Sequence, residues 1–123
     1  MSVALSFVTP PAGLEPHVDF VLAPVDGADG LYALRATGEP MLRLYLADPA
    51  MVVDDYRPEL SDDQVARLGL ASPADALVLV VVRRTDDGVC VNLMAPVIVN
   101  VATGTAAQPI LEDQGYPVHA LLA

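Results

Sequence analysis

The sequence contains no lysine. Its six basic residues are all arginines, set against sixteen aspartates and glutamates, which gives a net charge of −10 over 123 residues. Such a chain repels phosphate, so direct nucleic-acid binding is disfavoured and a cationic protein is the charged partner it would attract. The plainer alternative is that the carboxylates keep a 54% hydrophobic chain in solution. Cysteine is almost missing as well. Cys90 is the single one, so no internal disulfide can form. Together with the lack of a signal-peptide pattern, this predicts a reducing, cytoplasmic setting. No segment approaches the roughly 20 apolar residues a membrane helix needs. The length is that of one domain, residues 1–123, and a chain of this size buries about two thirds of its unfolded surface without help from a bridge or a metal.

Catalytic and ligand-binding patterns are equally scarce. His17 and His119 are the only histidines and do not fall in the helical zinc spacing. The acid pairs Asp54-Asp55, Asp62-Asp63 and Asp86-Asp87 are sequence neighbours. On a strand such neighbours diverge, and none fits a calcium loop. None of the four serines lies in a Gly-x-Ser-x-Gly context, and no glycine-rich phosphate or dinucleotide loop is present. Cys90, between valines, reads as an inert buried thiol. The expectation is a protein with no metal, no cofactor and no catalytic apparatus.

What the sequence does have is strands. VALSF (3–7) is short and apolar, and TPPAGLEP (9–16) is a loop because its prolines remove donors and bend the chain. DFVLAPV (19–25), LYALRA (31–36) and MLRLYLA (41–47) follow, separated by DGADG and TGEP turns. In the third of these, Leu42, Leu44 and Leu46 alternate with Met41, Arg43 and Tyr45, the period of a half-exposed strand. Ser61-Asp62-Asp63-Gln64 spells a capping box, so a helix of about two turns is expected near residues 62–68, stopped by Gly69. ALVLVVVRRT (76–85), the turn TDDG and VCVNLMA (89–95) read as an antiparallel hairpin, apolar on both faces and therefore covered on both. ATGTA (102–106) turns the chain into QPILE (108–112), and YPVHALLA (116–123) closes it. The sum is an all-β, small antiparallel barrel-like domain with one short helix.

One stretch is odd for a buried strand. VNLMAPVIVN (91–100) is apolar apart from Asn92 and Asn100, and Pro96 sits inside it. Buried amides need partners, so each asparagine is expected to bond a neighbouring loop or a break in the strand. Proline marks an edge or a bulge, and an edge is also where a partner strand can add. The segment Asn92-Leu93-x-Ala95-Pro96-Val97-Ile98-Val99-Asn100 resembles the signature of the flagellar assembly factor FliW family. Asp48-Pro49 followed by Tyr56, then Glu59-Leu60-Ser61-Asp62, is similar to a second family segment. Leu68-Gly69-Leu70…Pro73-x-Asp75 resembles its helix-to-strand link, and Gln108…Ile110-Leu111-Glu112…Tyr116-Pro117 its ending. The similarity runs roughly from Phe7 to Leu122. Ala50-Met51-Val52-Val53 stands where the family has a phenylalanine-rich patch, and ATGTAA stands where it has basic residues before Gln108.

The resemblance implies a non-enzymatic β-barrel regulator. It would bind the RNA-binding translational repressor CsrA and also flagellin, and so couple flagellin synthesis to export. The candidate partner-binding residues are Asp48, Asp54, Asp55, Tyr56, Glu59, Asn92 and Asn100. Tyr56 is either a ring packed on the barrel or a rigid anchor for the partner. Asp62 and Asp63 belong first to the helix start and secondarily to an acidic face. Two other readings compete. One is a small-molecule barrel with a cavity lined by Leu42, Leu44, Leu79 and Val81. The other is a carboxylate hydrolase using Asp54 or Asp55, which requires both acids to share a cleft.

Overall fold

The computed structural model describes residues 2–122. Its strands are β1 (Val3–Phe7), β2 (Asp19–Pro24), β3 (Leu31–Ala36), β4 (Glu39–Ala47), β5 (Ala76–Thr85), β6 (Gly88–Asn100), β7 (Thr105–Ala107) and β8 (Ala120–Leu121). The order β5-β4-β3-β2-β1-β7-β6 closes on itself through β5–β6, so seven strands make a barrel, with β8 added along Cys90 and Val91 of β6. The barrel and its one short α-helix are those expected from the sequence. One pairing departs from the antiparallel expectation: β1 and β7 run parallel, Ser6 opposite Thr105 and Phe7 opposite Ala106. That short pair closes the barrel. Residues 105–107, read as part of a turn, form β7, while 108–112 has no strand. Thr-Ala-Ala carries little strand signal of its own, and pairing on both sides is what makes it a strand.

Alternation fills the interior as the sequence implies. Leu5, Phe20, Leu34, Leu46, Leu79 and Val97 form one buried cluster with Leu42 and Leu44 packed against it. Phe7 meets Phe20 edge to face at 5.3 Å between ring centroids. The four residues proposed to line a ligand cavity (Leu42, Leu44, Leu79 and Val81) are thus members or neighbours of this packed core. The outer face of the β5–β6 hairpin is covered too. Val80, Val91 and Leu93 pack under Val52, Val53, Tyr56 and Tyr116, which come from the segment after β4 and from the chain's last segment.

The helix α1 (Asp62–Leu68) has the full capping box. Ser61 Oγ accepts from the Gln64 amide at 3.1 Å and Gln64 Oε1 accepts from the Ser61 amide at 2.8 Å. Gly69 ends it at φ 65. Gly104, at φ +79, turns the chain into β7 so tightly that a Cβ there would lie 2.8 Å from the Ala4 carbonyl oxygen.

Candidate functional site

The irregularity in β6 organises one side of the molecule. Leu79 pairs with Val97 and Val81 with Asn92, so residues 93–96 stand opposite Val80 alone. This is a wide break in the ladder, with Pro96 in it where no donor is needed. The amides and carbonyls of Leu93, Met94 and Ala95 are taken by the Asn92 side chain and by segments distant in sequence. Asn92 Oδ1 accepts from the amides of Met94 and Ala95, both at 3.0 Å. The Leu93 carbonyl accepts from the Tyr56 hydroxyl at 2.6 Å, the Met94 carbonyl from the Leu111 amide at 2.7 Å, and the Ala95 carbonyl from Gln108 Nε2 at 3.1 Å. Gln108 Oε1 in turn accepts from the Ala12 amide.

Tyr56 takes the first of its two expected roles, its ring packed on the barrel, and its hydroxyl also pins the break. It lies edge to face on Tyr116, 4.7 Å between centroids, and the Tyr116 hydroxyl accepts from the Arg57 amide. Burial, and secondarily the nearby Tyr116 phenol, push the Tyr56 hydroxyl well above its ordinary pKa, so it stays a donor. Asn100, only 2% exposed, works at the far end of β6. Its Nδ2 donates to the carbonyls of Leu68 and Gly69, tying down the end of α1, and its Oδ1 accepts from the Ala102 amide. Asn92 and Asn100 thus both bond a strand break or loop end, and neither lies among the acids.

The acids themselves come together on the segment after β4. Asp48 caps the single 3-10 turn Pro49–Met51, accepting from the Ala50 amide at 3.0 Å. Asp54 and Asp55 are exposed, and Asp55 sits at φ 55. With Asp48, Tyr56, Leu77 and Val78 they line an open cleft of about 490 Å³. Glu59 lies just beyond it. Its amide and carbonyl are held by Gln114 Oε1 and Nε2, both at 2.9 Å, which leaves its carboxylate outside. Val78 is shared with an adjoining apolar cleft of about 400 Å³ formed by Pro58, Leu60, Val65, Leu70 and Ile98. An apolar trough with an acidic margin is the result.

Among the described residues the one ion pair is Arg67 with Asp63, at 3.1 Å on the helix surface. Asp48, Asp54, Asp55 and Glu59 thus form no salt bridge among the described residues, although Arg57 lines the same cleft as the three aspartates. Both carboxylates invoked for a hydrolase do share the cleft, but both are exposed. Among the described residues no group of three or more His, Cys, Asp or Glu side chains is placed to hold a metal ion. No helix among them is long and apolar enough to cross a membrane. Sequence reasoning missed Gln108, Gln114 and Tyr116 as organisers of this face. Gln108 and Tyr116 stand out in the sequence only as positions that match the family segments.

Comparison with known proteins converges on one group. Residues 2–122 match the family described as FliW protein. A flagellar assembly factor FliW from an Azoarcus species is 34% identical over 85% of this chain and 80% of its own length. That of Syntrophus aciditrophicus is 36% identical over 86% of this chain and 68% of its own length. A crystal structure of the flagellar assembly factor FliW superposes with a TM-score of 0.87 at 23% identity, covering 95% of this chain and 83% of that one, which shows the shared fold.

Proposed function

The chain belongs to the FliW family, and from that premise we propose that it is a non-enzymatic flagellar assembly factor that works by gripping other proteins. Its partners in this reading are a CsrA-type RNA-binding repressor and flagellin. Capture of the repressor would release flagellin messenger RNA, and capture of flagellin would occupy the factor until flagellin leaves the cytoplasm. The observation that carries this is the trough itself. Three carboxylates without a salt-bridge partner among the described residues line a cleft that meets an apolar one at Val78, and Glu59 lies just beyond. A repressor that binds RNA must carry basic surface, and a net charge of −10 both attracts it and repels the phosphate it would otherwise hold. Asp48, Asp54, Asp55 and Glu59 are assigned to charge contact and Tyr56 to the floor of the site. Asn92 and Asn100 are assigned to shaping it from behind.

Titration calorimetry with the purified repressor and with flagellin, at low and moderate salt, tests the proposal. A one-to-one complex whose affinity falls with salt is expected for the repressor. Absence of heat with both proteins refutes it. A second reading has one observation in its favour: an apolar cleft of about 400 Å³ is of ligand-binding size. A small molecule retained in native mass spectra would support that reading, and empty protein would remove it.

A further inference from the structure

The basic residues of this acidic chain are not scattered. Four of the six arginines lie where β4 and β5 part company. The β4–β5 ladder has only three pairs, Tyr45–Val82, Leu46–Val81 and Ala47–Val80. Both strands continue past it. β5 runs on to Thr85, held on its other side by β6 through Arg83–Cys90, Arg84–Val89 and Thr85–Gly88. In β4 the residues Pro40, Met41 and Leu42 swing out of register with β3, since Ala36 pairs with Glu39 and Arg35 with Arg43. The β4-facing edge of β5 from Arg83 to Thr85 is therefore a rigid strand edge without a strand beside it among the described residues.

Had the ladder continued in register, Arg43 would stand opposite Arg84. Cross-strand neighbours share a face, so Arg35, Arg43 and Arg84 project from the same outer side of the sheet. Three guanidinium groups on one face repel one another and favour separation of the strands. Among the described residues no carboxylate comes within 4.0 Å of any of them, although Glu39 and the Asp86–Asp87 turn lie at the same end of the barrel. Arg43 instead stacks 5.8 Å above the Tyr45 ring, and Met41 beside it is 83% exposed. Charged edge residues also serve to discourage aggregation. That role alone does not account for three like charges gathered from three strands onto one side.

We propose that this notch receives an extended acidic peptide segment of a partner protein, which adds as a strand to the free edge of β5. Side chains alternate along a strand. A carboxylate beside Arg84 would also face Arg43 across the notch, with Arg35 behind it on β3 adding to the positive field, and the apolar residues flanking that carboxylate would turn inward toward Leu42 and Leu44. This surface is separate from the acidic trough and opposite to it in charge, so the two sites would take partners of opposite character.

The probe is a fluorescent peptide of about ten residues alternating Glu and Val, followed by anisotropy against the whole chain at low salt, with saturation expected at tens to hundreds of micromolar. The Arg43→Glu, Arg84→Glu double variant is expected to weaken it about tenfold or more, and Arg67→Glu less than about twofold. The same peptide with every second amide N-methylated is expected to lose binding by a similar factor, since it cannot pair with a strand edge. Far-UV circular dichroism of each variant checks the fold, and repressor binding should be unchanged in the double variant. Several results overturn the proposal. These are no saturation by about 1 mM, equal binding by the double variant, or equal binding of the N-methylated peptide. Equal competition by a single-stranded oligonucleotide would make the notch a general anion patch. A dimer lost on Arg84→Glu would make the occupant a second copy of this chain.

Discussion

Replacing Asn100 tests most directly how the long strand β6 is tied to the helix. Asn100→Ala deletes three hydrogen bonds at once: Nδ2 to the Leu68 carbonyl at 2.9 Å, Nδ2 to the Gly69 carbonyl at 3.2 Å, and the Ala102 amide to Oδ1 at 3.0 Å. The residue is 2% exposed, so water does not readily replace the amide. Each buried group left unpaired costs about 1–3 kcal/mol. Gly69 is exposed and its carbonyl recovers part of this from solvent, as does Ala102. Counting chiefly the Leu68 carbonyl and a fraction of the other two gives a loss of about 2–4 kcal/mol, a large share of the stability of a domain this size. At about 4 °C per kcal/mol the melting temperature should fall by roughly 8–16 °C. Urea unfolding of wild type and variant, compared at unchanged m-value, measures it. Asn100→Asp keeps the acceptor but sets a carboxylate against two carbonyls. It should be worse than Ala at neutral pH and should recover relative to Ala as the pH is lowered and the carboxyl protonates. A loss below about 1 kcal/mol for Asn100→Ala, or an Asp variant indistinguishable from Ala from pH 4 to 7, would show that the amide is not the tie inferred here.

Three further outcomes are expected. The Tyr56 hydroxyl has its pKa raised in the folded state, so its contribution is complete below about pH 10, where the phenol of the unfolded chain stays protonated, and is lost as pH climbs above that. Urea midpoints between pH 9 and 11 should thus decline more steeply for wild type than for Tyr56→Phe, and parallel declines would contradict this. Gly104→Ala meets both a positive φ and a 2.8 Å approach to the Ala4 carbonyl, so a destabilisation of about 2 kcal/mol or more by thermal melting is expected. Asp54→Asn with Asp55→Asn should leave the melting temperature within about 2 °C while weakening the repressor complex about five- to tenfold and flattening its salt dependence.

The parts of the fold that were legible had local causes. Alternation in Leu42, Leu44 and Leu46 and the run of branched residues in 76–85 name their strands, and Ser61 with Gln64 names the helix start, because each signal is contained within a few residues. Asn92 and Pro96 announced an irregularity, and the ladder breaks between them. What could not be read was who completes that irregularity. Gln108, Leu111 and Tyr56 reach it from separate places in the chain, and nothing local in QPILE says that it docks as a loop instead of pairing as a strand. β7 was invisible for the same reason: Ala106 becomes a strand residue because β1 and β6 lie on its two sides. Of the acids, the sequence suggested a cluster, and Asp48, Asp54 and Asp55 do share a cleft. The apolar trough beside it, joining Pro58 and Val65 to Ile98, is assembled across three elements and left no trace in spacing.

Closure of the barrel by a parallel pair between Ser6–Phe7 and Thr105–Ala106 has a consequence for how the chain reaches its native state. The first strand waits through roughly a hundred residues of synthesis for its second neighbour, a contact of very high sequence separation. Until then one side of β1 is bare, and such a nascent barrel is sticky. Ribosome-stalled chains ending before residue 105 should therefore be far more protease-sensitive than chains stalled well after it.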